Sequence, residues 1–372
     1  MTEKVRLEVL TTPSNGDGVR RQIEKTIESN RKNFDFVMKQ IPHMESAVET
    51  LQNGHGDLLA MSAHQWKDLP TQGLSIVGVL PRREPTWVLV SEDKPEYLLS
   101  KAIVVCDNVL LRRQMRRLRA DLNLMTSEAF AEHISNTHRF ESLEPEDRIH
   151  WLEEMRQDEV LDGYIVSRGE HAELKFKSRR HTLGLQRENP ERTHFVPPPL
   201  HGFTLLVARN GFPSASVQIM CDNGAFIAHR MEVAFLASIE EELHPITGIF
   251  VEQRKISAIL REANRSNDEQ TLEGVLDIEK NIKTPGPRLE MRIETLNHYG
   301  TVTAGAERVC PVEESHMGMV NVLKEFRNLL DMMQMSHDEI PRQHTGLSEE
   351  FSMARPGLLD LSTIHSVSSE EE

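Results

Sequence analysis

A lysine and an aspartate stand side by side, Lys67-Asp68, shortly after the apolar run Leu58-Leu59-Ala60-Met61. An adjoining cation and carboxylate can hold a charged ligand, and a carboxylate so placed can move a proton. Pro70 stops any regular element just beyond them. The second dense group is basic: Arg112, Arg113, Arg116, Arg117 and Arg119 fall within eight residues. Arginine presents a planar fork of donors that suits carboxylates. Arg112 and Arg113 stand where a helix begins, so its free N–H groups would favour an anion beside them. Both groups also have a plainer reading. Lys67-Asp68 would close a turn in solvent, and the arginine run would be a solvated helix face paired with nearby acids.

Other reactive residues lack a pattern. Glu240 and His244 lie four apart, and His298, Cys310 and His316 are loosely grouped, without metal-ligand spacing. No metal site is expected. The three cysteines, Cys106, Cys221 and Cys310, lie far apart with no CxxC pair, which fits free thiols in a reducing compartment. The net charge of −15 argues against a nucleic-acid or anionic-membrane partner, since both require a basic footprint. No apolar run approaches the roughly 20 residues a membrane span needs, and the N-terminus has no signal-peptide core. A soluble, cytoplasmic protein is expected.

The elements that must position these residues follow from periodicity. Val5–Leu10, Phe34–Ile41, the run through Met61 and Leu74–Leu80 are strand-like, with helix pattern over Val19–Ser29 and Glu45–Gln52. Alternating strands and helices predict a parallel sheet, and ligands of such sheets sit beyond the carboxyl ends of the strands. Lys67-Asp68 is expected in such a loop. A second α/β unit begins near Lys101, with a helix over Leu110–Leu122 and a returning strand at Gly163–Val166. Pro197-Pro198-Pro199 marks a stiff connection before the strand Phe203–Ala208. Beyond it, the pattern predicts a strand over Val217–Cys221, a helix over Ala225–Leu243, long strands over Ile256–Ala263 and Thr271–Ile278, another strand at Leu289–Thr295, and a final helix over Met317–Met333. Strands and helices in separate runs predict an α+β domain there. Residues 336–372 end in Ser-Val-Ser-Ser-Glu-Glu-Glu and are expected to form a disordered acidic tail.

In this order the chain resembles the porphobilinogen deaminase (hydroxymethylbilane synthase) family. The resemblance rests on Gly56-Asp57-Leu58 through Ala63-His64-Gln65-Trp66-Lys67-Asp68-Leu69-Pro70, then Leu80-Pro81-Arg82 and Leu111-Arg112-Arg113-Gln114. Weaker echoes lie in Pro197 to Arg209 and in Glu232 with Ala234-Phe235-Leu236. The resemblance implies an α/β fold of three domains, two periplasmic-binding-protein-like lobes and a C-terminal α+β domain. The expected boundaries are 1–92 with 181–200 for the first, 93–180 for the second and 201–335 for the third. It also implies a dipyrromethane cofactor and a porphobilinogen-like polycarboxylate as partner. Asp68 would then be the catalytic acid/base, and Lys67, Arg112, Arg113, Arg148 and Ser14 would bind carboxylates.

The chain departs from the family's pattern where the cofactor attaches. Glu240 to Pro245 reads Glu-Glu-Glu-Leu-His-Pro, with no cysteine to form the thioether. Asn108-Val109-Leu110 replaces the Thr-Ser-Ser before the arginine pair, and Thr12-Pro13-Ser14 lacks the family's arginine. Two functions are therefore expected: a hydroxymethylbilane synthase of tetrapyrrole biosynthesis, or a non-catalytic relative. The relative would bind a tetrapyrrole precursor, another polycarboxylate or a protein partner, and the missing cysteine favours it. An independent two-lobed small-molecule binder with only a fold-level likeness is the third expectation.

Overall fold

The computed structural model describes residues 5–13, 16–174, 176–187 and 193–335. The first lobe begins with β1 (Val5–Thr11), α1 (Val19–Asn30), β2 (Phe34–Gln40), α2 (Met44–Gln52), β3 (Leu58–Ser62), α3 (Ala63–Asp68) and β4 (Leu74–Val79). Helix α1 forms because Val19, Ile23 and Ile27 recur on one face and are buried, while polar residues between them face outward. Each buried isoleucine contributes about 1.5–3 kcal/mol of transfer free energy. All five residues of β3 are buried, as expected of a central strand covered on both faces.

The chain then crosses to a second lobe: β5 (Trp87–Ser91), β6 (Ile103–Val105), α4 (Val109–Leu118), β7 (Asn123–Met125), α5 (Ser127–His133), α6 (Thr137–Glu141), α7 (Pro145–Gln157), β8 (Gly163–Ser167), α8 (Arg168–Leu174) and β9 (Arg180–Leu183). A second crossing returns it to β10 (Thr204–Arg209). The first sheet has the order β2-β1-β3-β10-β4 and the second β7-β6-β8-β5-β9. The two orders are equivalent. In each, three parallel strands are followed by one antiparallel strand supplied after the chain has left the other lobe. Strand β5 comes from the first crossing and β10 from the second, so the lobes are joined by two segments, residues 80–86 and 184–203.

The third unit contains α9 (Asn223–Leu236), β11 (Thr247–Arg254), α10 (Ile256–Ser266), α11 (Glu269–Val275), β12 (Arg288–Leu296), β13 (Thr303–Pro311) and α12 (Ser315–Gln334). Its antiparallel sheet β11-β12-β13 packs on α9 and α12. The fold is thus α/β, with two lobes of equivalent strand order and a C-terminal sheet domain.

Several expectations are corrected. Ile256–Ala263 and Thr271–Ile278 are not strands. Ile256, Ile259 and Ala263 are buried at helical spacing in α10, and Asn267 ends it with φ 53°. Asp268 then caps α11 through the Thr271 N–H at 3.0 Å. Val217–Cys221 forms a tight helical turn over Gln218–Met220 rather than a strand. The helix expected over Ala225–Leu243 stops at Leu236, and a separate short turn covers Glu241–Ile246. Strand pairing also departs from the expected boundaries: β5 lies in the second sheet and β10 in the first. Both are the swapped strands, whose partners are remote in sequence. Residues 336–372 lie outside the described residues.

Candidate functional site

The two crossings run side by side, and the Arg83 N–H donates to the Gly202 carbonyl at 3.1 Å. Arg82 knots them to the third domain. Its Nε and Nη2 donate to the His201 carbonyl at 3.0 and 2.8 Å, and its Nη1 to the Val251 carbonyl at 2.9 Å and Glu232 Oε1 at 2.7 Å. The guanidinium lies 4.0 Å from the Phe203 ring centroid. Glu232 is fully buried and accepts from the Leu200 and Val251 N–H groups at 2.7 and 2.9 Å. Burial pushes its carboxyl up, against the opposing pull of Arg82 and those two donors. His201 stacks on Trp87 at 5.2 Å. Burial, with the nearby His64, Arg82 and Arg83, pushes its imidazole down to about 3, so the ring is neutral.

A cavity of about 310 Å³ opens beside this knot, between the start of α1 in the first lobe and the start of α8 in the second. Asp17 Oδ1 accepts the Val19 N–H at 2.9 Å and so fixes the first turn of α1. Gly18 precedes that turn at φ 72°, and a Cβ there would collide with the Arg83 guanidinium. Gln22 ties α1 to the first crossing through the Pro81 carbonyl at 2.7 Å. Across the cavity, Arg168 pairs with Glu84 at 3.1 Å. Arg21 and Lys25, one turn apart on α1, line the same cavity, and neither has an ion-pair or hydrogen-bond partner among the described residues. A cavity with two uncompensated cations on its wall attracts an anion.

A second cavity of about 430 Å³ lies at the carboxyl ends of the first sheet's strands, where the strand order reverses. Thr12 and Pro13 follow β1, His43 and Glu45 flank the start of α2, and Gln65 and Asp68 come from α3. Lys67 and Asp68 are not in a loop. They form the last turn of α3, which begins with a capping box: Gln65 Oε1 accepts the Ser62 N–H at 3.0 Å and Ser62 Oγ accepts the Gln65 N–H. One helix turn sends the pair apart. Asp68 lines the cavity, whereas Lys67 Nζ lies 3.4 Å from His244 Nδ1 of the third domain.

The remaining site candidates are not brought to either cavity. Arg112 is buried and donates to the Cys106 carbonyl at 2.6 Å. Arg113 is 2% exposed and donates to the Leu296 carbonyl at 2.6 Å; burial, with Arg116 and Arg112 nearby, pushes its pKa down to about 10. The arginine run is therefore not a solvated face. Arg148 is half-buried on α7 and lies 4.7 Å from the Phe140 ring centroid. Ser14 lies outside the described residues. The thiols of Cys106 and Cys310 are buried, and Cys221 is half-buried. Among the described residues no group of three His, Cys, Asp or Glu side chains gathers to hold a metal ion, and no helix is long and apolar enough to cross a membrane.

Arg21, Lys25, Arg83 and Arg168 were not expected in a site. Arg83 alone carried a signal, the motif Pro81-Arg82-Arg83-Glu84-Pro85 between two α/β units, which reads as a linker only once both units are recognised.

No family model and no curated protein matches the chain. Among solved structures it is similar to YhfZ of Shigella flexneri, with 14% identity over 62% of this chain and 96% of that one, at a TM-score of 0.29. A putative methionine-binding lipoprotein of Bacillus subtilis shares 10% identity over 57% of this chain and 87% of its own, at 0.30. The periplasmic aliphatic sulphonate binding protein SsuA of Escherichia coli shares 16% over 73% and 77%, at 0.30. The reading as a hydroxymethylbilane synthase of tetrapyrrole biosynthesis, and as a transferase, is corrected. What overturns it is the arginine pair on which carboxylate clamping rested: both residues are buried, and each directs its Nη1 to a main-chain carbonyl rather than to a cavity.

Proposed function

We propose that this chain is a two-lobed binding protein that holds a small anionic solute in the cavity between its lobes. The observation that carries the reading is the pair Arg21 and Lys25, both lining that cavity without a partner among the described residues. The lobe–crossing–lobe arrangement supports it, since clefts between domains are common sites for small ligands. A cavity of about 310 Å³ suits a compact mono- or dicarboxylate, phosphate or sulphonate. Ser167 and Gly169 line the opposite wall, where the Ser167 hydroxyl also accepts the Glu170 N–H at 3.1 Å.

Titration calorimetry at low salt with phosphate, methanesulphonate, succinate and glutamate tests this. At least one anion is expected to saturate a single site and raise the melting temperature with concentration. A charge-assisted hydrogen bond is worth about 1.5–3 kcal/mol, so Arg21→Ala or Lys25→Ala should weaken binding roughly ten- to a hundredfold. Unchanged affinity in both variants, or no saturable binding by any of the four anions, would overturn the proposal.

A further inference from the structure

The third domain is attached to the two lobes by different chemistry. With the first lobe it shares one continuous apolar core, running from Leu10, Leu59 and Leu205 through Phe235 to Ile249, Leu289 and Phe326. Removing that contact would expose a large apolar area, so the first lobe and the third domain behave as one body. The two apolar cores of the second lobe contain no third-domain residue, and of α4 only half-buried Val109 touches the shared core.

The second lobe meets the third domain through α4, which packs beside the Glu241–Ile246 turn and holds the β12–β13 hairpin by polar contacts. Arg113 donates to the Leu296 carbonyl, and Arg116 to the His298 carbonyl at 3.0 Å. Gln114 donates to the Val196 carbonyl at 3.0 Å and to Glu294 Oε1 at 2.9 Å. Arg117 forks onto both Glu294 oxygens at 3.1 Å and also reaches the His194 carbonyl. Gly300, at the hairpin tip with φ 69°, rests directly on the α4 backbone. A Cβ there would lie 2.5 Å from the Arg113 carbonyl oxygen and 2.6 Å from the Arg117 nitrogen. Meanwhile the lobes touch across the cleft: a Cβ on Gly16 would lie 2.9 Å from Glu170 Cγ.

We propose that the hairpin of the third domain is a latch on α4, which holds the second lobe closed over the cleft. The second lobe can swing about the two crossings only if the α4 contact breaks, because the third domain moves with the first lobe. Access to the cleft is thereby governed from a face remote from it. The contact suits this task, since polar pairs can part and re-form in water where an apolar core cannot.

The test measures distances between spin labels on cysteines placed at exposed Glu28 of the first lobe and Asp158 of the second, in a Cys221→Ser background. A second pair, Glu28 and Lys324, spans the first lobe and the third domain as control. Intact protein is expected to give one narrow distance for each pair. Gly300→Ala inserts a methyl group between hairpin and helix, and Arg117→Ala removes the fork without adding atoms, so one folded variant suffices. In either, the Glu28–Asp158 distance should lengthen and broaden while the control pair stays unchanged. A broad Glu28–Asp158 distribution in intact protein, or an unchanged one in a folded variant, would overturn the latch. Loss of the control distance as well would overturn the shared-body argument. The test needs no ligand, so it stands or falls apart from the anion site.

Discussion

Replacing Glu232 by alanine should cost about 5 kcal/mol, more than any other single change at the crossings. The side chain is fully buried and serves three donors: Arg82 Nη1 and the Leu200 and Val251 N–H groups. Removing one partner of a buried ion pair costs about 3–5 kcal/mol, because the other charge stays behind unpaired. Each orphaned buried N–H adds about 1–3 kcal/mol. The terms overlap, since Arg82 keeps its carbonyl acceptors on His201 and Val251, and the total stays below their sum. Glu232→Gln preserves volume and one acceptor, so it should cost about 3 kcal/mol. The double change Arg82→Met with Glu232→Leu separates the contributions. It removes both charges but leaves the two backbone donors unserved, so about 2–4 kcal/mol of loss should remain. Urea unfolding followed by tryptophan fluorescence reads each value, with Trp87 placed against His201 beside the knot. A loss below about 1 kcal/mol for Glu232→Ala, or complete recovery in the double variant, would refute the reasoning.

The second lobe carries a carboxylate whose titration should be visible. Glu153 is buried, which by itself raises its pKa, but hydrogen bonds from Arg156, Ser178, Gln157 and Tyr164 outweigh burial and hold it at about 2. A depressed folded pKa contributes stability above the unfolded value and loses it as pH falls through the folded one. Unfolding free energy should therefore drop by about 2–3 kcal/mol between roughly pH 4.5 and 2, and Glu153→Gln should flatten that part of the profile. At the cleft, Gly18→Ala should cost about 1–2 kcal/mol from its left-handed backbone alone, and more if Arg83 cannot withdraw. Circular dichroism melts of that variant should show the loss, and anion titration should show weaker binding, because Arg83 lines the cavity.

The lobes were legible because their strands and helices repeat with clear period. Ile23 and Ile27 announce α1, and the unbroken apolar run Leu58–Met61 announces a central strand. What periodicity cannot convey is which sheet a strand joins. β5 and β10 are each written beside one lobe and paired in the other, and their partners are fixed by contacts distant in sequence. In the third domain, Ile256–Ala263 is short and rich in isoleucine and alanine, so its apolar residues fit a strand as well as a helix. The buried set Ile256, Ile259 and Ala263 decides for the helix only after the sheet beside it is in place. The candidate site was legible to a lesser degree. Lys67 and Asp68 were expected beyond a strand's carboxyl end, where Asp68 does line a cavity, but the helical turn that parts them depends on the Ser62–Gln65 cap.

The arginine run shows why residue type alone misleads. Five arginines in eight residues of an acidic chain suggest either a solvated face or an anion pocket. Arg113, Arg116 and Arg117 instead satisfy main-chain carbonyls and one buried carboxylate where lobe meets third domain, and Arg112 a carbonyl within its own lobe. A buried hairpin end presents acceptors that need donors, and the guanidinium fork can serve several from one helix face. That demand is invisible in the local sequence, because the acceptors Leu296 and His298 arrive from a hairpin some 180 residues later. The cations that stay available for a ligand are those, such as Arg21 and Lys25, for which the described residues provide no acceptor. On α1 they stand among acidic and polar neighbours, and Arg20 beside Arg21 spends its charge on Glu24, so no long run of like residues draws the eye.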